Sequence, residues 1–392
     1  MEMKKYKLGE IAQICTITIT PQSGTIYNLY SLPSFDDRKR CEIIDGQEIQ
    51  SNKFSVPDRC ILFNKLNVRF KRIWCVNNSD SNKICSTEFL PLIINEEIVD
   101  FNYFYYLLNS DSITDYLCGQ NTNTSGSHKR IDPHDLLQIE VFLPTLSYQK
   151  AIGKILSDFD RKIELNRAIN QNLEAMAKQL YDYWFVQFDF PNEEGKPYKS
   201  SGGEMVWNEK LKREIPKGWQ SGLLEDFLII KNGRDHKHLA EGLYPVYGSG
   251  GEMRRVTEYL YEGESVLIPR KGSLNNIMYV NEAFWTVDTM FYSEMKLSYC
   301  AKYIYYSIRD IDFTRLDSGT GVPSMTSSTL YSIKIIKPQF DILRRFDKII
   351  SPLFAHMKQI VRQNAELTKQ RDELLPLLMN GQASINSDLF DD

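Results

Sequence analysis

The sequence predicts an α+β protein made of two strand-rich α/β halves in tandem, each followed by a long helix, with the two helices paired in an intramolecular coiled coil. Three observations support this fold class: an internal repeat, two apolar seams at helical spacing, and short β-rich runs between turns, such as residues 60–63 and 265–269. A chain of 392 residues also exceeds the usual size of a single hydrophobic core. We therefore expect two globular domains.

The repeat becomes visible when 194 is added to each residue number. Residues 139–144 (IEVFLP) then align without gaps with residues 333–338 (IKIIKP), and the same register continues into the helices that follow. Further upstream the match needs gaps, where residues 103–108 resemble residues 303–308. Two amphipathic helices can match by chance because they share a periodicity. The shared strand and its closing proline favour a true duplication.

Two long helices are predicted at 148–184 and 346–378, each with one apolar stripe at the spacing of a coiled-coil seam. Such a stripe needs a partner, and the other half of the chain offers one with a matching polar interruption. Intramolecular pairing is therefore favoured, and a buried asparagine would set its register. The seam residues are Ile152, Ile155, Phe159, Ile163, Asn166, Asn170, Leu173 and Leu180 in the first helix, and Ile349, Leu353, Met357, Ile360, Asn364, Leu367 and Leu374 in the second.

Pro352 leaves two alternatives for the second helix. Either Ser351 caps a new helix with Pro352 in its first turn, or one helix bends at the proline. A helix of roughly 30 to 35 residues spans about 45 to 50 Å, whereas one turn of DNA is about 34 to 36 Å. Globular halves held at the ends of such helices could read two separated DNA sites. The alternative is that the helices only dimerise the protein.

The charge distribution limits how the chain could bind DNA. A formal net charge of -4 excludes a global basic field, so contacts must come from local patches. Arginine and lysine can hold phosphates, and arginine can read guanine through two parallel hydrogen bonds. Taken singly, each cation is better explained as a solvated surface charge, but as a set, above all in the run 270–276, they indicate loops that contact DNA. The candidates are Arg38, Lys39, Arg40, Lys65, Arg69, Lys71, Arg72, Arg254, Arg255, Arg270, Lys271 and Asn275.

The sequence carries no catalytic or metal-binding motif. Its seven cysteines never fall as Cys-x-x-Cys, and the histidines at 236 and 238 fit a solvated loop, so we expect neither disulfide nor metal. An Asn/Asp-Pro-Pro-Tyr/Phe tetrapeptide, a P-loop and a dinucleotide fingerprint are all missing. Asp132 and Thr326 are predicted helix caps, and Asp58 is predicted to lie in a turn. Without an apolar run of eighteen residues or a signal peptide, the expected location is the cytoplasm.

Several long segments resemble the specificity subunits of type I restriction-modification systems, and the likeness covers nearly the whole chain. The most diagnostic lie at its centre, where they are similar to the segment that joins the two recognition domains of that family. The segments are YDYWFVQFDFP (181–191), GKPYKSSGGEMVWNEKL (195–211), EIPKGW (214–219), LPTLSYQKAIGKILSDFDRKIELN (143–166), VLIPRKGSLNNIMYVNEAFWTVDTMFY (266–292) and KQRDELLPLLMNGQ (369–382). One departure is at 338–343, where PQFDIL replaces the family's proline-to-glutamine helix opening.

The resemblance implies a domain plan with pseudo-twofold symmetry, in which the two spacer helices run antiparallel. The expected segments are a target-recognition domain at 1–145, a spacer helix at 146–190, a linker at 191–218, a second recognition domain at 219–338, a second spacer helix at 339–385 and a tail at 386–392.

The resemblance also implies a function. The chain would be the non-catalytic DNA specificity subunit, reading a bipartite target in double-stranded DNA and binding two modification (methyltransferase) subunits. An ATP-dependent restriction subunit would join for cleavage. S-adenosylmethionine, ATP and Mg are implied for the partner subunits, and no cofactor is expected in this chain. The alternative is a coiled-coil scaffold that binds protein rather than DNA.

Overall fold

The computed structural model describes residues 3–120, 130–316 and 324–383. It divides into two compact units, one formed by Met1–Asn166 with Arg362–Asp392 and the other by Arg167–Val361. Each unit contains a strand-rich domain and part of both long helices. The fold class predicted from the sequence is confirmed. The expected tail at 386–392 lies outside the described residues.

The first unit has mixed α/β structure ahead of its long helix. Its strands are β1 (Lys4–Lys7), β2 (Ala12–Ile14), β3 (Thr18–Ile19), β4 (Ile26–Tyr30), β5 (Glu42–Asp45), β6 (Lys53–Ser55), β7 (Arg59–Asn64), β8 (Ile73–Asn77), β9 (Lys83–Cys85), β10 (Phe89–Ile94) and β11 (Glu140–Leu143). Its helices are α1 (Leu8–Ile11), α2 (Leu32–Arg38), α3 (Phe101–Leu108), α4 (Asp111–Gln120), α5 (Pro133–Leu137) and the start of α6 (Leu146–Tyr181). The sheets have the strand orders β2-β10-β7-β8, β3-β6-β9-β4-β5 and β1-β11.

The second unit repeats this plan around one larger sheet. Its strands are β12 (Met205–Asn208), β13 (Arg213–Pro216), β14 (Gln220–Leu223), β15 (Leu228–Asn232), β16 (Glu241–Gly248), β17 (Gly251–Val256), β18 (Tyr261–Pro269), β19 (Met278–Thr286), β20 (Met290–Met295) and β21 (Lys334–Lys337). Its helices are α7 (Ala301–Arg309), α8 (Ser327–Tyr331) and the start of α9 (Phe340–Met379), and α6 ends in a π-helical turn at Asp182–Val186. The sheet order is β15-β20-β18-β19-β16-β17, with the pairs β14-β21 and β12-β13 beside it.

The same hydrogen bond marks the repeat in both units. The backbone N–H of Leu8 donates to the carbonyl of Ile139 at 2.9 Å, and that of Leu224 donates to the carbonyl of Ile333 at 2.9 Å. The flanking strands also pair alike, because β1 runs antiparallel to β11 and β14 runs antiparallel to β21. The duplication inferred from the sequence offset is thus present in the backbone.

Within the first unit, α6 and α9 run antiparallel. Asn166, which is 2 % exposed, donates from Nδ2 to Asn364 Oδ1 at 2.8 Å and to Gln363 Oε1 at 3.0 Å. Further along the same two helices, Arg371 forms an ion pair with Asp160. From the first contact to the second, the residue number falls along α6 and rises along α9, so the two helices run antiparallel. The polar interruption of the predicted seam is therefore a hydrogen-bonded register point in this unit.

Within the second unit, the end of α6 packs against the start of α9 through aromatic rings. Phe185 lies 4.9 Å from Phe346 between ring centroids, and both are buried. Ile349, which the spacing places on the seam, is 49 % exposed, while its neighbour Ile350 is fully buried. Asn170 has a buried Oδ1 without a hydrogen-bond partner among the described residues.

The remaining seam positions fall into two groups. Ile152, Ile163 and Ile360 are buried, and Ile155, Phe159, Leu173, Leu180, Leu353, Met357, Asn364, Leu367 and Leu374 are partly buried. Most of the predicted seam positions are therefore at least partly buried, as expected for the inward stripe of an amphipathic helix.

The second helix is not interrupted at Pro352. Helix α9 continues through that residue, and Ser351 Oγ donates to Asp347 Oδ2 at 3.1 Å instead of capping a new helix. The alternative of a fresh helix start is therefore not observed.

Across the described residues, no helix has the length and apolar character needed to cross a membrane.

The departure at 338–343 has a physical reason. In the first unit, Gln149 is 1 % exposed and satisfies buried backbone groups, accepting from Asp100 N at 2.9 Å and donating to the carbonyl of Pro144 at 2.9 Å. Its repeat counterpart, Leu343, is equally buried but lies in an apolar cluster with Phe346. The second junction replaces a polar anchor with hydrophobic packing.

Candidate nucleic-acid interface

Two hairpin loops occupy the same place in the repeat. The β7–β8 loop (65–72) and the β18–β19 loop (270–277) each connect neighbouring antiparallel strands. The carbonyl of Lys65 accepts from Ile131 N at 3.0 Å, and that of Arg270 accepts from Met325 N at 2.8 Å. Because the anchors are equivalent, the candidates Lys65, Arg69, Lys71 and Arg72 lie on a loop equivalent to the one that carries Arg270, Lys271 and Asn275.

Two cations of the β7–β8 loop are held by carboxylates. Lys71 Nζ lies 2.5 Å from Asp111 Oδ1, and Arg72 donates two hydrogen bonds of 2.7 Å to Asp36. Arg69 is exposed and makes no side-chain hydrogen bond or ion pair with any described residue. The loop therefore offers one uncommitted cation, Arg69, and two cations, Lys71 and Arg72, whose positions are fixed by the fold.

Helix α2 brings the predicted run 38–40 to the same region, since its Asp36 binds the loop. Ser31 caps the helix by accepting from Ser34 N at 3.1 Å, and Lys39 ends it in a left-handed conformation with φ of 51°. Lys39 Nζ donates to Tyr105 Oη at 2.7 Å. Arg40 is exposed, and the side chain of Arg38 lies outside the described part of the structure.

Arg130 is a further cation at this site that the sequence argument missed. It forms an isolated backbone bridge with Leu66 of the loop and donates to both oxygens of Glu88, at 2.6 and 2.9 Å. Those hydrogen bonds from Arg130 hold the pKa of Glu88 below its ordinary value. The residue closes a basic run that includes positions 128 and 129, so the run itself was an available signal.

In the second domain, the β18–β19 loop is tied to its neighbours mainly by amides. Asn275 Oδ1 accepts from Phe313 N at 2.9 Å, and Asn276 Nδ2 donates to the carbonyl of Ser249 at 2.8 Å. Asn275 is therefore a structural anchor as well as a candidate contact. Lys271 is exposed and forms a backbone bridge with Ser324.

The contact with Ser249 joins this loop to the turn between β16 and β17, and two other candidates lie on β17. Arg254 donates to the carbonyl of Leu239 at 2.9 Å, and Arg255 forms a 2.9 Å ion pair with Glu252. The guanidinium of Arg270 lies 5.9 Å from the centroid of the Phe291 ring. In the first domain, the equivalent of the loop's contact with Ser249 is the contact of Arg72 with α2. Helix α2 also lies between two paired strands, β4 and β5.

The residues weighed for catalysis have structural roles. Asp132 caps α5, accepting from His134 N at 2.8 Å, and Thr326 caps α8, accepting from Thr329 N at 3.2 Å, as the sequence predicts. Asp58 lies 2.6 Å from the buried Lys83. Within residues 3–120, 130–316 and 324–383, no group of three or more His, Cys, Asp or Glu side chains could hold a metal ion.

The chain has two repeated strand-rich domains. Each presents an anchored basic hairpin loop and is followed by a long helix, which is the arrangement of a protein that recognises nucleic acid with two similar domains. The sequence matches the family described as type I restriction modification DNA specificity domain over residues 1–175 and 216–372, and the chain belongs to that family. It is accordingly a DNA sequence-specificity subunit, and the catalytic activities lie in other subunits.

Named relatives agree with this membership. The chain is 25% identical over 339 residues to the type I restriction enzyme MjaIX specificity subunit of Methanocaldococcus jannaschii, covering 78% of this chain and 74% of that protein. It is 23% identical to the HindI specificity subunit of Haemophilus influenzae, covering 97% and 99%. The crystal structure of the type I restriction-modification S subunit from M. genitalium shares the fold, with a TM-score of 0.62, 19% identity and 96% coverage of each chain.

Proposed function

We propose that each domain reads one half of a bipartite DNA target through its basic hairpin loop, while the paired helices set the spacer between the halves. The observation that carries this proposal is the equivalent anchoring of the loops 65–72 and 270–277 in two repeated domains. Equivalent placement is what two readers of separate half-sites require. The chain works with the other subunits of a type I restriction-modification complex.

The site chemistry suits DNA because two exposed cations are placed against carboxylates that a phosphate can replace. Arg130 and Arg255 each bind a carboxylate while their own side chains are 60% and 55% exposed, and pairs of exposed side chains contribute little to stability. Arg69, Arg40 and Lys271 are exposed. Phosphate contacts by these side chains would position the domain, and base contacts would supply specificity.

The test compares methylation and DNA binding with and without the modification subunit. We expect sequence-specific methylation only when both proteins are present, and an affinity for DNA that falls steeply with salt. Methylation or cleavage by the isolated chain would contradict the proposal. A complex that binds no DNA even at low salt would instead fit a scaffold.

The proposed docking site for a modification subunit is a cleft in the second unit. It has a volume of about 850 Å³ and lies between the end of α6 and the start of α9. Met176, Tyr183 and Ile349 line it and are 55%, 37% and 49% exposed. An exposed apolar cleft between helices fits an apolar helix face of a partner. The repeat implies a second docking site on the first unit.

Substitutions on the helices test this docking. We expect Met176→Asp and Ile349→Asp to abolish co-purification of the modification subunit, because each puts a charge into the apolar contact. Val361→Asp is the matched control, since Val361 is 59% exposed on the same helix outside the cleft. Equal loss of partner in the control, or full retention in the cleft variants, would place docking elsewhere.

We also propose that this chain needs no cofactor of its own and acts in the cytoplasm. S-adenosylmethionine would be bound by the modification subunits, and ATP and Mg by a restriction subunit. Methylation by the assembled complex should therefore depend on S-adenosylmethionine, while calorimetry of the isolated chain should detect no binding of it.

A further inference from the structure

Phe70 protrudes from the β7–β8 loop between two cations. Its side chain is 58% exposed, and it is the only large apolar side chain of residues 65–72 that is exposed. Its neighbours in sequence are Arg69 and Lys71. Single exposed apolar residues are common on protein surfaces, so exposure alone assigns no role. The groups around the ring indicate its role.

Neighbouring groups order both the backbone and the ring of Phe70. The backbone N–H of Phe70 donates to the carbonyl of Asn67 at 3.0 Å, and its own carbonyl accepts from Arg72 N at 2.7 Å, which closes a tight turn. The guanidinium of Arg72 lies 5.1 Å from the centroid of the Phe70 ring and is itself fixed by Asp36. A protruding ring that is already ordered loses little entropy on binding.

This arrangement favours a nucleic acid over a protein as the partner of the ring. Protein hot spots surround an aromatic anchor with further apolar contacts, whereas Phe70 lies between Arg69 and Lys71 in the sequence and its ring contacts the guanidinium of Arg72. Cations meet phosphates, and an apolar ring between them can enter a base step from the groove and unstack it. Both requirements are met on one short loop.

The second domain lacks this feature at the equivalent place. In the β18–β19 loop, Leu274 is 2% exposed, and Ser273 and Asn275 are the exposed side chains at the tip. The two loops therefore present different side chains, an apolar ring in the first domain and polar groups in the second. The second half-site becomes an internal control.

We infer that Phe70 is a specificity-determining wedge that inserts at a base step of the first half-site. The inference rests on the proposed DNA function of the β7–β8 loop. Pyrimidine–purine steps unstack most easily, so the wedge adds a preference for such a step as well as affinity. Arg69, beside it, supplies a charge contact that orients the loop.

The test uses the full chain in complex with its modification subunit. Phe70→Ala is compared with Phe142→Ala, whose ring is 56% exposed on β11 in the same unit, and with Phe70→Leu, which keeps an apolar wedge. We expect Phe70→Ala to weaken binding to the specific duplex by about tenfold. The salt dependence should stay unchanged because no charge is lost. Phe70→Leu should recover most of the affinity.

Fluorescence locates the wedge. A duplex with 2-aminopurine at successive positions of the first half-site should brighten at one step with the wild type and the Phe142→Ala variant, but not with Phe70→Ala. Probes in the second half-site should respond equally to all variants. Wild-type affinity and fluorescence in Phe70→Ala would overturn the inference while leaving the proposed function intact. Failure of the wild-type complex to bind a specific duplex would instead overturn the proposed function.

Discussion

Replacing Lys302 with methionine removes a buried charge that joins α7 to α9 in the second unit. Lys302 is 3% exposed, and its ammonium group binds Glu264 and lies 2.9 Å from Asp347 Oδ1. Tyr279 donates to the same Glu264 at 2.5 Å. In the variant, the carboxylates of Asp347 and Glu264, which are 15% and 31% exposed, lose the buried cation that they share. We expect a loss of about 3 to 5 kcal/mol in the free energy of unfolding, measured by urea titration of the full chain.

The matched controls separate burial from charge. Lys358 also binds a carboxylate, that of Glu282 at 3.1 Å, but its side chain is 34% exposed, so Lys358→Met should cost less than about 1 kcal/mol. Neutralising the carboxylates as well, in Lys302→Met/Glu264→Gln/Asp347→Asn, should restore much of the lost stability. A cost below about 1 kcal/mol for Lys302→Met, or no recovery in the triple variant, would refute this reasoning.

Three further outcomes are expected. Gly153→Ala should destabilise the first unit in thermal unfolding, because a Cβ would lie 2.6 Å from the carboxylate that caps α3, whereas Gly119→Ala has open space and should be neutral or stabilising. Arg130 lowers the pKa of Glu88, so the ion pair stabilises the fold fully above the ordinary pKa of 4.5, and this stabilisation disappears as the pH falls through the lowered pKa. The free energy of unfolding of Glu88→Gln should therefore depend less on pH in that range. Lys271→Ala should reduce the salt slope of DNA binding by about one.

The sequence predicted the duplication because a repeat leaves the same residues at one fixed offset. Residues 139–144 and 333–338 became β11 and β21 with their flanking turns, and the same backbone hydrogen bond recurs at Leu8 and Leu224. The caps Asp132 and Thr326 were predictable for a similar reason, since capping depends on a few adjacent residues. Local chemistry of this kind can be read directly from the sequence.

Long-range contacts could not be predicted in the same way. Nothing local shows that Arg72 would bind Asp36, or that Arg130 would lie beside the β7–β8 loop, because these residues are far apart in the sequence and meet only when the domain folds. Spacing placed Ile349 on the seam, yet Ile350 is the buried neighbour, since the helix turns its stripe toward the strand-rich domain as well as toward α6. Candidate cations were found by type, whereas their partners required the fold.

The most direct test of the account exchanges residues 1–145 for the corresponding domain of another family member and sequences the methylome of cells that express the hybrid with the modification subunit. Independent readers on a shared pair of helices predict that one half-site changes while the other half-site and the spacer length stay the same. A hybrid that altered both half-sites, or the spacer, would contradict the claim that each domain reads its own part of the target.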